Sequence, residues 1–335
     1  MINRKLNICL IGHYNVRHND EGVRNVAYYL RNELSLRENV LSIDICDTGI
    51  FTKVARFNPD IIHLIVGPNS VYSFILAKFL SILTRKITII SAVQPSIFPL
   101  IRFISILRPD LILVQSRKYA NLFKTHGCNT KFFPNGIDVK RFVPSSGHGK
   151  ASLRQKYGLD KNKFTILHVG PIKKKRNIAL LGKLQEQDNQ VIIVSRESQD
   201  NELDLYCTLK KKGCVIFDKY IEKIEEIYAL SDCYVFLASS EASCIEIPLS
   251  VLEAMACNLP IISSKFRGLP DNFNEFRGLW YIENENELLE VLHIIKSGYL
   301  DINSRMVAQS FSWSILIEVL LRNYYELLSN ATTEN

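Results

Sequence analysis

The sequence predicts an α/β protein made of two doubly wound domains, each a parallel sheet with helices on both faces. Three observations predict it. A chain of 335 residues is too long for one hydrophobic core and suits two domains of roughly 150 residues each. Short apolar runs alternate with runs of helical period, the pattern of strands joined by crossover helices. After a short polar stretch in mid-chain the alternation starts again, so the two halves read as similar series.

In order along the chain, "LNICLIG" (Leu6 to Gly12) reads as a strand buried on both faces. The polar loop "HYNVRHNDEG" follows, then a helix through "VRNVAYYLRNEL". "DIIHLIV" is a strand, "SVYSFILAKFLSIL" (Ser70 to Leu83) a helix, and "KITIISAV" and "PDLILVQS" two more strands. Beyond "FFPNGIDVKRFVP", the stretch "SSGHGKAS" reads as a linker. The second series has strands at "KFTILHVG" (Lys163 to Gly170), "NQVIIVS", "CVIFDKY" and "CYVFLAS", with the helix "EKIEEIYALS" before the last. A helix in "PLSVLEAMA" leads to the strand "PIIS", and "SWSILIEVLLRNYYELL" (Ser312 to Leu328) is a long amphipathic helix. The expected boundaries are a first domain at 1–148, a second at 149–311 and a terminal helical segment at 312–335. In such sheets ligands bind beyond the carboxyl ends of the strands, so the cleft between the domains is the expected site.

A hydrophobic content of 47% with 22% charged residues describes a globular chain. The net charge of +7 fits an acidic substrate such as a nucleotide, an anionic membrane surface, or plain solubility. The basic clusters, "KKKR" at Lys173 to Arg176 and "KKK" at Lys210 to Lys212, are too short and too poor in aromatics to predict nucleic-acid binding. Eight cysteines are scattered with no C-x-x-C pair, which reads as reduced thiols in a cytoplasmic protein. The apolar run near the N-terminus is too short for a signal peptide. No segment offers the ~20 apolar residues of a membrane helix, so the expectation is a cytoplasmic protein, soluble or peripheral at the inner face of the membrane. No G-x-G-x-x-G follows the first strand, and there is no G-x-x-x-x-G-K-[ST] loop, no G-x-S-x-G elbow and no Asp-x-Asp pair. Dinucleotide-dependent hydride transfer, ATP hydrolysis and serine hydrolysis are thereby disfavoured, and no metal ligand set stands out.

The informative stretch is "SSEASCIEIPLSVLEAMACNLPIIS", Ser239 to Ser263. Pro248 suits the first position of a helix, leaving the N–H groups of Leu249, Ser250 and Val251 to face a phosphate. Glu253 lies one turn in, placed to accept hydrogen bonds from neutral hydroxyls such as a ribose diol. Plainer readings stand beside this one. Glu253 can be an acid favoured by the helix dipole, and Glu246 the second half of a capping box with Ser243.

This stretch resembles the signature of the retaining, nucleotide-sugar-dependent glycosyltransferases of family 4, roughly E-G-x-P-L-x-x-L-E-A-M-A-x-G-x-P-V-I. Three other segments resemble that family in the right order. They are "KFFPNGIDVKRFVP", "ILHVGPIKKKRNIALL" and "IEEIYALSDCYVFLASSE". The resemblance covers nearly the whole chain and is densest from Phe132 to Trp280. It implies the GT-B fold, two Rossmann-like domains around a cleft: an acceptor-side domain, a donor-binding domain, and a terminal helix crossing back onto the first. It also implies that Glu253 holds the nucleotide ribose, that the helix start at Pro248, Leu249 and Ser250 holds the distal phosphate, and that Lys175 and Arg176 neutralise the diphosphate. Gly170 belongs to the same turn, and the region of Tyr220 and Ile221 to the base-contacting loops. The leaving diphosphate is anionic, and fixed cations stabilise the charge that develops on it. "KKKR" as a plain solvated turn is the alternative.

The sequence departs from the family at several points. Arg176 falls where the family usually has lysine, and Pro171 where it often has arginine. The family's first acid should fall at position 245, which is Ile245; Glu246 is one place later and Glu241 further back. Glu246 still aimed at the donor sugar is the favoured reading, with Glu241 as substitute or a lost sugar contact as the others. In the first domain, Gly22 is the expected remnant of a glycine-rich turn near the diphosphate. His13, His63 and Gln94 are acceptor-side candidates, and His18, in the same loop as His13, is within reach of acceptor or donor; for the histidines, a solvated loop position or a satisfied core position is the alternative.

The resemblance implies a hexosyl- or glycosyltransferase that needs no metal and no cofactor beyond its nucleotide-sugar substrate, acting with retention on a glycan or lipid-linked hydroxyl. Two other functions stay open: a non-catalytic nucleotide-sugar or glycan-binding homologue, and an isomerase of nucleotide sugars with the same fold. Lys78, Arg85, Lys86, Arg102 and Arg108, interleaved with "FILAKFLSIL" and "FPLIRFISIL", fit contact with an anionic membrane or ordinary core helices with basic edges.

Overall fold

The structure is a computed structural model and describes residues 4–14, 21–67, 70–96, 104–195, 202–239, 244–298 and 300–333. His18, Arg102, Glu241 and Ser243 lie outside them. The chain forms two compact units: residues 1–136, 245–247 and 313–335, and residues 137–244 and 248–312.

The first unit opens with β1 (Asn7–Gly12), α1 (Glu21–Ser35), β2 (Asn39–Asp44), α2 (Ile50–Phe57), β3 (Ile61–Val66) and α3 (Ser70–Thr84). It continues with β4 (Ile87–Ala92), β5 (Leu111–Val114), α4 (Arg117–Thr125) and β6 (Thr130–Phe132). Its six strands pair in the order β2-β1-β3-β4-β5-β6, all parallel. All six residues of β3 are buried, as a central parallel strand covered on both faces requires. The expected linker is not one. Gly147 to Lys156 fold as α5, with Ser146 at the N-cap accepting a hydrogen bond from the Gly149 N–H.

In the second unit α5 leads to β7 (Thr165–Val169), α6 (Ala179–Glu186), β8 (Gln190–Val194), α7 (Leu203–Lys211), β9 (Val215–Phe217), α8 (Ile224–Leu230) and β10 (Cys233–Phe236). Then come α9 (Leu249–Ala256), β11 (Ile261–Ser263), α10 (Leu269–Asn272), β12 (Leu279–Tyr281), α11 (Glu285–Lys296) and α12 (Ser304–Ser310). The strand order is β12-β11-β10-β7-β8-β9, again parallel throughout. The closing helix α13 (Trp313–Thr333) belongs to the first unit. There Trp313 stacks on Tyr29 of α1 with ring centroids 5.7 Å apart, and Tyr324 reaches His63 on β3 at 2.6 Å.

In both sheets the progression of strand order reverses next to the first strand, between β1 and β3 in the first unit and between β7 and β10 in the second. The crevice beyond the carboxyl ends of such a pair is where doubly wound sheets take ligands. In the second unit those ends carry Gly170 and Ser239.

Candidate functional site

In the second unit β7 ends at Val169, and the next residue, Gly170, has a φ of 146°, in a region that residues with a Cβ avoid. Its N–H still donates to the Val194 carbonyl, at 2.9 Å. A Cβ on Gly170 would overlap the Arg176 guanidinium and come within 3.5 Å of His168 Nε2, so the glycine makes room for a cation. The basic turn closes as one short 3-10 segment, Lys174–Arg176, and exits through Asn177 at φ 52°. Three hydrogen bonds pin it to the end of β10. Asn177 Nδ2 donates to the Leu237 carbonyl at 3.2 Å, and the Ser239 N–H and Oγ–H both donate to the Lys175 carbonyl at 3.1 Å. Arg176 is consequently buried, 5% exposed, while Lys175 is exposed. The "KKKR" run is therefore a fixed turn at the switch point, with Arg176 turned inward and Lys174 and Lys175 outward.

His168 was not foreseen from the sequence, where it sits inside an apolar strand. Its Nδ1 lies 2.9 Å from the Val235 carbonyl. A carbonyl only accepts, so Nδ1 carries the proton and Nε2 is left as a bare acceptor. That atom is buried with no hydrogen-bond partner. Burial, then the charge of Arg176, lowers the pKa of this ring to about 3, so it stays neutral beside the cation.

Helix α9 starts one residue later than expected. Pro248 is its N-cap and no side chain caps this end. The Val251 N–H donates to the Pro248 carbonyl at 3.1 Å, which leaves Leu249 and Ser250, rather than all three residues, to present N–H groups. Glu253 is part-buried one turn in. The Tyr228 hydroxyl donates to its Oε2 at 2.6 Å, and Tyr228 is itself locked between Phe142, at 5.6 Å, and Tyr234, at 5.9 Å. Burial raises the carboxyl pKa of Glu253, partly offset by the Tyr228 hydrogen bond. The result is an oriented acceptor group beside uncapped N–H groups, suited to a neutral diol next to a phosphate. Tyr220 is exposed and Ile221 part-buried in the loop beyond β9.

The first unit holds the remaining candidates. Residues 245–247 belong to it. The Glu246 N–H donates to the Val93 carbonyl at 2.9 Å, and Asn135 Nδ2, in turn held by Gln115 at 2.6 Å, donates to the Ile247 carbonyl at 2.7 Å. Ile245, 3% exposed, fills the space a Cβ would need at Gly22, where its Cγ2 stands 3.0 Å away. Gly22 is thus a packing glycine that admits Ile245. Ile245 faces α1 and leaves Glu246, 1% exposed, as the described carboxylate of this loop, its backbone held to Val93, the residue before Gln94. His63 is a core residue, not an acceptor contact. It is fully buried, with Nδ1 on Tyr324 at 2.6 Å and Nε2 on Ser91 at 2.8 Å, and burial lowers its pKa to about 3. His13 follows β1 and is part-buried.

Residues 149–297 match the family model of the glycosyl transferases group 1. Among curated proteins, the sulfoquinovosyl transferase SQD2 of Arabidopsis thaliana is 25% identical over 240 residues, covering 66% of this chain. The chain spans about half the length of that relative, 46%. Among solved structures, HepE of Anabaena in complex with UDP superposes with a TM-score of 0.77 at 14% identity, covering 96% of this chain and all of that one. Sucrose-phosphate synthase of Thermosynechococcus elongatus gives a TM-score of 0.75 at 14% identity over 97% of this chain and 100% of that chain. The fold is accordingly that of the GT-B glycosyltransferases.

Proposed function

We propose that this chain, which carries a glycosyl transferases group 1 domain over residues 149–297, transfers a sugar from a nucleoside-diphosphate sugar to an acceptor hydroxyl, with retention, in the manner of family 4. The observation that carries this reading is Glu253, oriented by Tyr228 one turn into a helix whose first N–H groups have no side-chain cap. Glu253 accepts hydrogen bonds from the ribose diol, the N–H groups of Leu249 and Ser250 take the distal phosphate, and Lys175 with Arg176 neutralises the diphosphate. As the bond from the anomeric carbon to the phosphate oxygen breaks, charge grows on that oxygen, and fixed cations stabilise it there more than in the ground state. The acceptor oxygen bonds to the same carbon on the same face, and its proton passes to the departing phosphate. Glu246 is the carboxylate assigned to the donor sugar. The reading needs no metal ion. Complexes of Anabaena HepE with UDP and UDP-glucose support uridine as the first base to try. The proposed acceptor is a glycan or lipid-linked hydroxyl, and the proposed location is the cytoplasm.

The test is donor turnover. Purified protein is incubated with UDP-, ADP- and GDP-sugars, and both free nucleotide and the recovered donor are analysed. Slow donor hydrolysis that Glu253→Ala abolishes supports the transferase reading. Binding with no turnover under any acceptor would support a non-catalytic homologue instead, and conversion of the donor sugar without release of nucleotide would support an isomerase.

A further inference from the structure

Helix α3 is apolar on both sides. Its inner side packs Phe74, Leu76, Ala77 and Leu80 into the core of the first unit. Its outer side carries Tyr72, Ile75, Phe79, Ile82 and Leu83, which are 52%, 37%, 56%, 62% and 65% exposed. Steps of three and four residues put these side chains on one stripe, about 17 Å long from the helical rise. A helix that covers a sheet in water ordinarily presents a polar outer face. In the same unit α1 carries exposed Asn25 and part-buried Arg24, Arg31, Asn32 and Glu33, with Tyr28 as its exposed aromatic side chain. A continuous exposed stripe of this kind marks an interaction surface.

The charge around the stripe says what covers it. No Asp or Glu occurs between Asp60 and Asp110, whereas Lys78, Arg85, Lys86, Arg102 and Arg108 fall in that interval. Lys78 lies on α3 itself. Arg85 and Lys86 follow its last turn, where Arg85 takes a φ of 54° and is exposed. Aromatic and aliphatic side chains on one stripe, with cations and no acid in the same stretch of sequence, match the boundary between anionic headgroups and acyl chains. Lys and Arg stems reach from such a depth to the phosphates. Among the described residues no helix is long and apolar enough to cross a membrane, so the geometry is that of a helix lying on the surface.

We propose that α3 docks the first unit on an anionic phospholipid bilayer, with Tyr72, Ile75, Phe79, Ile82 and Leu83 at the acyl boundary and Lys78, Arg85 and Lys86 at the headgroup phosphates. This docking does not depend on the transferase reading, and its test uses no nucleotide or acceptor. The full chain is floated with vesicles of phosphatidylcholine alone and with vesicles containing phosphatidylglycerol, at low and high salt. Binding is expected only to the anionic vesicles and falls at high salt. The double variant Phe79→Ser/Ile82→Ser changes exposed residues only and keeps the far-UV spectrum and melting temperature, but loses vesicle binding. Arg85→Gln/Lys86→Gln weakens it by about an order of magnitude or more. No binding to anionic vesicles at low salt overturns the proposal, as does equal binding to neutral ones. A dimer in light scattering that Phe79→Ser/Ile82→Ser disperses, with no vesicle binding, would assign the stripe to a second copy of the chain.

Discussion

Glu253 and Glu246 lie seven positions apart, and the proposed function gives them different work. Glu253 is one turn into α9 and is held by Tyr228. Removing a charge-assisted hydrogen-bond partner costs roughly 1.5–3 kcal/mol, so Glu253→Ala is expected to weaken nucleotide binding roughly tenfold to a hundredfold, read by calorimetry. Its raised pKa has a further consequence. A carboxyl raised in the folded state adds stability at pH values below its unfolded pKa, and that contribution is lost as the pH rises through the folded value. Glu253→Gln should therefore melt higher relative to wild type at pH 8 than at pH 4.5, even as it impairs binding; thermal melts at the two pH values check this. Glu246 lies in the first unit and is assigned to the donor sugar. Glu246→Gln is expected to leave nucleotide binding within about twofold and to lower kcat on the order of a hundredfold, read by steady-state kinetics. Glu253 was legible because a helix start and an acid one turn later are local. Tyr228 was not legible as its partner, since that contact spans 25 residues of sequence. The turning of Ile245 toward Gly22 is a packing event between α1 and a loop, which no local spacing encodes.

At the scale of elements, strands buried on both faces were readable as apolar runs, as β3 and β8 show. The edge strand β2 was not, because "NVLSID" has one buried residue and owes its place to pairing with β1, Asn7 opposite Asn39 through Gly12 opposite Asp44. Helix α5 escaped for a related reason. Its sequence is glycine-rich and short of apolar residues, and tertiary anchoring makes it a helix. Arg154, 6% exposed, donates to the carbonyls of Leu230 and Lys161 at 3.0 Å and pairs with Asp232 at 2.5 Å. Asp232 also accepts from the Thr165 N–H, at 2.9 Å, and from Lys150, at 3.0 Å. Breaking a buried pair from one side leaves an uncompensated charge and costs about 3–5 kcal/mol, so Arg154→Ala should lower the denaturant midpoint by that equivalent. Gly170→Ala must adopt a φ of 146° and displace Arg176. It is expected to cost about 1–3 kcal/mol and to lower nucleotide affinity with it, measured by denaturation and by titration.

At the scale of the whole molecule, each unit buries one neutral histidine, His63 in the first and His168 in the second, and both are held to about pKa 3 chiefly by burial. The unfolded chain protonates them near pH 6.5, so from there down to about pH 3 it binds protons that the folded chain refuses. Stability is full above that window and is lost as the pH falls through it. Melting temperature should decline steadily from pH 7 to pH 4, more steeply in wild type than in His168→Gln. The architecture of two parallel sheets with switch points was legible in the sequence because alternation and apolar runs are properties of the chain alone. The cradle of Gly170, His168 and Arg176 was legible only as a glycine and a basic turn. The central claim is that the second unit binds a nucleoside diphosphate through Glu253. The most direct measurement is thermal stability against UDP, GDP, ADP, dTDP and CDP, for wild type, Glu246→Gln and Glu253→Ala. One nucleotide, at about a hundred times its Kd, should stabilise wild type and Glu246→Gln by roughly 2.7 kcal/mol, a shift of about 4–8 °C, and should stabilise Glu253→Ala by only about half that or less. No shift with any nucleotide, or an equal shift in Glu253→Ala, would contradict the account.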